Sequence, residues 1–84
     1  MMRKVTQNAA MKRMNSRLVK RNQKVVKLKL KQRELFHKKF AIVNDGFMIF
    51  VSDYLTPWLV EEWLLDECEY IEGELNIKLK ICSS

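Results

Sequence analysis

The sequence predicts a mixed α+β fold with the element order α-β-β-α-β, and two observations support that prediction. Asn44-Asp45-Gly46 separates two apolar runs, Phe40–Val43 and Phe47–Val51. Because Asn, Asp and Gly tolerate positive φ, this arrangement is typical of a tight β-hairpin. Neither Gly nor Pro occurs before Gly46, and this first half is rich in Lys, Arg, Gln and Leu, which favours helix.

The length of 84 residues allows one small domain with a modest core. Within that single domain, residues 1–84, we predict two parts. Residues 1–38 would form a basic helical arm, and residues 39–84 would form a compact ββαβ core. Such a small core often needs additional support. A homodimer, formed through the apolar seam of the helix or through an open sheet edge, would provide it.

The N-terminal helix is predicted to begin after Thr6, whose hydroxyl can cap its first turn. Apolar residues recur at heptad spacing over the following residues, namely Met11, Leu18 and Val25 on one position and Met14, Leu28 and Leu35 on the neighbouring one. The pattern favours helix over 6–24. Over 25–38 a competing signal exists, because Val26-Lys27-Leu28-Lys29-Leu30-Lys31 alternates strictly. An extra strand near 25–31 is therefore the alternative.

The two hairpin strands are apolar at successive positions, so both of their faces are apolar. Strands of this kind are usually central in a sheet or covered on both sides. We therefore expect other elements to cover the hairpin.

An acidic helix is predicted over 57–70, with Thr56 as its cap and Pro57 at its first position. Its buried stripe would consist of Val60, Trp63, Leu64, Cys68 and Ile71, and its acidic face of Glu61, Glu62, Asp66 and Glu69. Gly73 would end the helix. Leu75, Ile77, Leu79 and Ile81 then alternate with polar residues, which predicts a half-buried C-terminal strand.

Charge divides the chain into two unlike halves. Residues 1–40 contain 14 Lys and Arg against one acid, a balance of +13. Residues 41–84 contain two Lys against nine acids, a balance of −7. The formal net charge of +6 hides this division.

Six cations of the predicted helix follow one another at spacings of three or four residues and would share one face. They are Arg13, Arg17, Lys20, Lys24, Lys27 and Lys31, and Arg21, Arg33 and Lys38 lie beside them. Like charges at this spacing repel one another, whereas a polyanion would reverse that cost. We therefore predict a non-catalytic nucleic-acid-binding protein. RNA is preferred over DNA because Phe36, His37 and Phe40 could stack on unpaired bases.

The acidic half allows three further interpretations. It could be a solvated surface, or it could neutralise the basic half within one chain or across a dimer. It could also be a docking surface for a basic protein, with Trp58 as anchor and Glu61, Glu62, Asp66 and Glu69 around it. In the last case the protein would be a small inhibitor or antitoxin, acting on a protein or protein–RNA complex.

Other classes have little support. His37 and Glu34 could together serve as an acid–base pair for RNA cleavage, but the sequence contains no phosphate loop, nucleophile triad or metal-ligand cluster, so we predict no enzyme, cofactor or metal. The longest apolar run has five residues, 47–51, which is too short for a membrane span. Cys68 and Cys82 are typical of reduced cysteines in a cytoplasmic protein. Few Gly, Ala and Pro and many Lys, Asn and Ile are typical of small AT-rich genes such as those of bacteriophages, so a bacterial host is expected.

Overall fold

The computed structural model describes residues 2–82, with side chains described from residue 2 to residue 80, and confirms the α+β class. Four helices and five strands are present in this part of the chain. They are β1 (Arg3–Val5), α1 (Gln7–Leu18), β2 (Gln23–Lys27), α2 (Leu30–Phe36), β3 (Phe40–Asn44), β4 (Phe47–Ser52), α3 (Thr56–Glu61), β5 (Glu69–Ile71) and α4 (Leu75–Cys82). A 3₁₀ turn, Val19–Arg21, links α1 to β2.

The strands form two sheets. β1 and β5 pair in parallel, while β2, β3 and β4 form an antiparallel sheet in that order. The core lies between the two sheets, α1 and α3, and its buried members come from both halves of the chain. They are Val5, Ala10, Met14, Leu18, Val25, Phe40, Ile42, Leu55, Leu59 and Ile71. Half of these residues precede position 39, so the first 38 residues contribute directly to the core.

The long N-terminal helix predicted by the sequence is wrong, and the alternative strand is confirmed in a shifted position. Thr6 does cap α1 by accepting a hydrogen bond from the Ala9 amide. The 3₁₀ turn that follows α1 ends at Asn22, which adopts a left-handed conformation at φ 57° and redirects the chain. The next residues, Val25 and Val26, are β-branched and favour the strand that forms there.

The predicted hairpin is confirmed. Asp45 and Gly46 both have positive φ, 51° and 85°, as a two-residue turn of the primed type requires. A register shift between Ile42 and Val43 adds one residue to β4, which is a β-bulge. The expectation that the hairpin is covered on both sides is wrong for β4. This strand lies at the sheet edge, and five of its six residues are exposed.

The predicted acidic helix 57–70 is wrong in its length, because α3 ends at Glu61. The next turn is a Schellman motif, in which the Leu64 amide donates to the Leu59 carbonyl and the Trp63 amide to the Val60 carbonyl. The chain then leaves the helix direction, so the predicted buried stripe and acidic face do not exist as helix faces. Trp63 and Cys68 are exposed rather than buried.

Thr56 does not cap α3, in contrast to its predicted role. Glu74, eighteen residues further along the chain, does this instead. Its buried carboxylate accepts hydrogen bonds from the Leu55 amide at 3.1 Å and from the Thr56 amide at 2.9 Å and hydroxyl at 2.8 Å. A carboxylate in this position satisfies amides that the helix cannot pair and interacts favourably with its positive end.

The predicted C-terminal strand is also wrong, since residues 75–82 form α4. A short alternating segment rich in Leu and Lys carries both strand and helix signals, and here the helix propensity of these residues decides. Consequently Lys78, expected on a polar outer face, is buried, and its Nζ donates to the Asp66 carbonyl at 2.9 Å. Gly73, at φ 80°, forms the turn before α4.

Candidate nucleic-acid interface

Within residues 2–80, every ion pair joins a cation of the basic half to an acid of the acidic half. The four pairs are Arg3–Asp66, Arg13–Glu69, Arg21–Glu62 and Lys38–Asp53, at 3.9, 2.9, 2.7 and 3.6 Å. The interpretation that the two halves neutralise each other within one chain therefore describes part of the molecule. The cations left over are the ones available to an external partner.

Arg13 and Glu69 form the best-defined of these pairs. The guanidinium donates to both carboxylate oxygens, at 2.9 and 3.0 Å, and to the Leu64 carbonyl at 3.0 Å. The Asp66 amide also donates to Glu69. The hydrogen bonds from Arg13 and then from the Asp66 backbone lower the pKa of Glu69 from 4.5 to about 2. The same contact raises the pKa of Arg13. Arg13 is thus committed to holding α1 against β5.

We expect acid to weaken the fold through Glu69. The pKa of this group is lower in the folded protein than in the unfolded chain, so its contribution is complete above pH 4.5 and disappears as the pH falls towards about 2. Because the Arg13 side chain is one-third exposed, we discount the effect for screening to about 1–2 kcal/mol. Unfolding free energies measured from pH 7 to pH 2 for wild type and Glu69→Gln test this. The two curves should converge in acid, and an equal loss in both proteins would contradict the assignment.

Three more of the predicted nucleic-acid-binding residues also have partners in the fold. Arg21 pairs with Glu62, and its hydrogen bond lowers the pKa of that carboxylate. Lys38 pairs with Asp53 across the open end of the hairpin. The Arg33 Nε donates to the Leu28 carbonyl at 2.9 Å, which holds α2 to the end of β2. These side chains are less available to a polyanion than the sequence suggested.

The five remaining predicted cations are exposed, and the described residues hold no ion-pair partner for any of them. They are Arg17, Lys20, Lys24, Lys27 and Lys31, which we call the basic edge. They run from the end of α1 through the 3₁₀ turn and β2 into the first turn of α2. No acid occurs between residues 17 and 31.

The basic edge is not the single helical face that the sequence predicted. Lys24 and Lys27 lie in β2, opposite Val43 and Phe40 of β3. Side chains three residues apart in a strand point to opposite faces of the sheet. The positive charge therefore surrounds an outer strand instead of forming a straight stripe of nearly 30 Å.

The position of α1 beside β2 determines how this edge is presented. The Val25 amide would be an open donor at the sheet edge, and the Asn15 side chain accepts it at 2.7 Å. The backbone of this edge is thus partly closed, while its lysine side chains remain exposed. A ligand meets ammonium groups here, and it does not need to add a strand.

Of the three aromatic residues predicted to stack on bases, only two are accessible. Phe40 is 1% exposed and belongs to the core, whereas Phe36 and His37 are exposed at the end of α2. His37 adopts a left-handed conformation, φ 55°, that ends the helix. Glu34, its proposed acid–base partner, is exposed on α2. Nothing in the pair's surroundings indicates catalytic activation.

The predicted protein-binding residues are divided between several elements. Trp58 is partly buried against the core, so it is not the exposed anchor. Trp63 is 92% exposed at φ 58°, a feature the sequence analysis missed because Trp63 fitted the predicted buried stripe. Glu61, Asp66 and Trp63 border a cleft of about 920 Å³, whereas Glu62 and Glu69 are engaged in their ion pairs.

Two surveys of the described part of the chain give no other site. No group of three or more His, Cys, Asp or Glu residues in it could hold a metal ion. None of its helices combines the length and apolar character needed to cross a bilayer. No protein family, no curated protein and no solved structure matches the chain.

Proposed function

We propose that this protein is a non-catalytic nucleic-acid-binding protein that binds RNA through the basic edge. One observation carries the proposal. After the internal ion pairs have formed, Arg17, Lys20, Lys24, Lys27 and Lys31 remain exposed in a stretch of chain that contains no acid. Uncompensated like charges at close spacing repel one another. Contact with phosphates removes that repulsion and releases the counterions condensed on the nucleic acid.

RNA is favoured over duplex DNA by the shape of the edge. The cations lie around a strand and a short turn, and no long basic helix is available to enter a major groove. Exposed Phe36 and His37 follow the basic edge at the other end of α2 and can stack on unpaired bases. Single-stranded or folded RNA presents such bases, whereas duplex DNA does not.

Fluorescence anisotropy of a labelled single-stranded RNA tests this proposal, with single-stranded and duplex DNA of the same sequence as comparisons. The logarithm of the binding constant should fall linearly with the logarithm of salt concentration. If four or five phosphates are contacted, the slope should be about −3 to −4. Absence of binding at 50 mM salt, or affinity independent of salt, would overturn the proposal.

A second candidate function is that of a small inhibitor or antitoxin that binds a basic protein through Trp63 and the acids around it. Trp63 occupies the position after a helix end where glycine is usual, in a conformation that costs a non-glycine residue about 1–2 kcal/mol. An exposed, strained tryptophan beside Glu61, Asp66 and Glu67 has the composition of a binding hot spot.

Trp63→Gly and Trp63→Ala separate strain from binding. Both remove the indole ring, but only glycine relieves the left-handed conformation, so we expect Trp63→Gly to be more stable than Trp63→Ala by about 1 kcal/mol in urea unfolding. If the second candidate is correct, both variants lose a host protein that wild type retains after nuclease treatment. Retention of that protein by both variants would exclude Trp63 as the anchor.

The proposed location is the cytoplasm, of a bacterial host if the gene is carried by a phage. An exposed, free thiol at Cys68 supports a reducing compartment.

A further inference from the structure

The two edges of the three-stranded sheet differ in how they are protected. At the β2 edge, Asn15 of α1 accepts the Val25 amide and lysine side chains flank the strand. At the β4 edge no element of the described chain pairs with the strand on its outer side. Natural proteins protect open edges with charges, proline or covering elements, because an unprotected edge pairs with other strands. β4 carries a bulge but, from Phe47 to Ser52, neither a charge nor a proline.

The apolar surface around β4 is large for a protein of this size. Phe47 is 75% and Phe50 59% exposed, and Met48, Ile49, Val51 and Tyr54 are each more than one-third exposed. If a large side chain offers about 200 Å² in full, these six expose on the order of 500 Å². Leu30, Leu35 and Phe36 of α2 bring the total to roughly 900 Å². That total is comparable to the roughly 800 Å² that each partner buries in a standard interface.

The chemistry of this surface selects its occupant. Nucleic acid is a poor fit, because the strand offers no cation from Phe47 to Ser52. A second β4 is a good fit, since antiparallel pairing about a two-fold axis places apolar residues opposite apolar residues along nearly the whole strand. The bulge supports this, because it leaves one residue of β4 without a partner in β3 and so with free backbone groups.

The distribution of charge also favours a second copy. In a sheet with the order β2-β3-β4-β4-β3-β2, the two basic edges lie at opposite ends. With strands about 4.8 Å apart, they would be separated by roughly 24 Å. This exceeds the Debye length of about 8–10 Å at ordinary salt. Pairing through β4 thus joins two strongly basic molecules without bringing their basic edges together.

We propose that the protein forms a two-fold symmetric homodimer in which β4 pairs antiparallel with β4 of a second copy, giving a continuous six-stranded sheet. The interface is apolar and uses backbone hydrogen bonds, so it does not depend on attraction between the basic and acidic halves. The two basic edges then form the outer margins of one assembly.

Sedimentation equilibrium of nuclease-treated protein tests the dimer, and the nuclease step removes RNA that could bridge two copies. We expect twice the mass of 10.1 kDa in both 0.1 M and 0.5 M salt. Ile49→Lys should give a monomer with unchanged far-ultraviolet circular dichroism. Val19→Lys, the same change at a residue that is 66% exposed away from β4, should remain a dimer. A wild-type monomer at tens of micromolar, or a dimer that dissociates only in high salt, would overturn the proposal.

Spin labels test the antiparallel arrangement separately, in a chain with Cys68 and Cys82 replaced by serine. Labels at Ile49 should lie close to their twins near the two-fold axis. Labels at Asp45, four residues away, should be separated by about 25 Å more than the central pair at 3.4 Å per residue. Equal distances at both positions would indicate parallel pairing and would contradict the proposal. Neither experiment contains RNA, so a failed dimer leaves the RNA-binding proposal standing, and the reverse also holds.

Discussion

Glu74→Gln is expected to lower the free energy of unfolding by about 2–3 kcal/mol, because it replaces a buried carboxylate that accepts three hydrogen bonds. An amide has one oxygen, and its NH₂ group would face either the Leu55 amide or the Thr56 amide and hydroxyl. At least one donor at the start of α3 would then be buried without an acceptor. The loss is a large fraction of the stability of an 84-residue domain.

Glu72→Gln provides the matched control for this change. Glu72 is the same residue type two positions earlier, but its side chain is exposed. Its substitution should change the unfolding free energy by less than about 0.5 kcal/mol. Urea unfolding at pH 7 measures both variants. Equal stabilities for the two would show that Glu74 does not hold α3 in the way described here.

Reversing two charges on the basic edge should produce the largest loss of RNA binding. Lys24→Glu with Lys27→Glu removes two exposed cations of β2 that no residue in the described chain neutralises. Each lost phosphate contact reduces the salt slope by about one, and the affinity at low salt should fall about 100-fold. The fold should persist, since both side chains are exposed.

Lys4→Glu with Lys12→Glu makes the same change in net charge away from β2. Lys4 is an exposed lysine of β1, and Lys12 is exposed on the side of α1 opposite its buried face. This variant should lose only a few-fold in affinity, through the long-range field. Comparable losses in the two double variants would mean that overall charge, and not the basic edge, determines binding.

Local signals in the sequence predicted the hairpin well and the helices poorly. Asn44-Asp45-Gly46 is decisive because few other residues adopt the conformations that a two-residue turn requires. The long N-terminal helix failed because Asn22, one residue in a left-handed conformation, ended a region whose composition otherwise favours helix. The alternation at 26–31 was the correct signal there, although the strand begins and ends earlier.

Contacts distant in sequence account for the remaining differences. Nothing near Thr56 indicates that Glu74 will cap α3, and nothing near Arg13 indicates Glu69 as its partner. Both contacts depend on how the two halves of the chain pack. The charge division predicted correctly that opposite charges would meet, but the sequence could not say which cations would remain free. The candidate site was therefore predicted in composition and not in shape.

Chemical footprinting of the lysines is the most direct test of the central proposal, that the charge left unneutralised at the basic edge binds RNA. The protein is acetylated briefly with and without single-stranded RNA, and modification of each lysine is measured by mass spectrometry. The account predicts strong protection of Lys20, Lys24, Lys27 and Lys31, and little protection of Lys4 and Lys12. Protection centred on Lys4 and Lys12, or uniform protection of all exposed lysines, would contradict it.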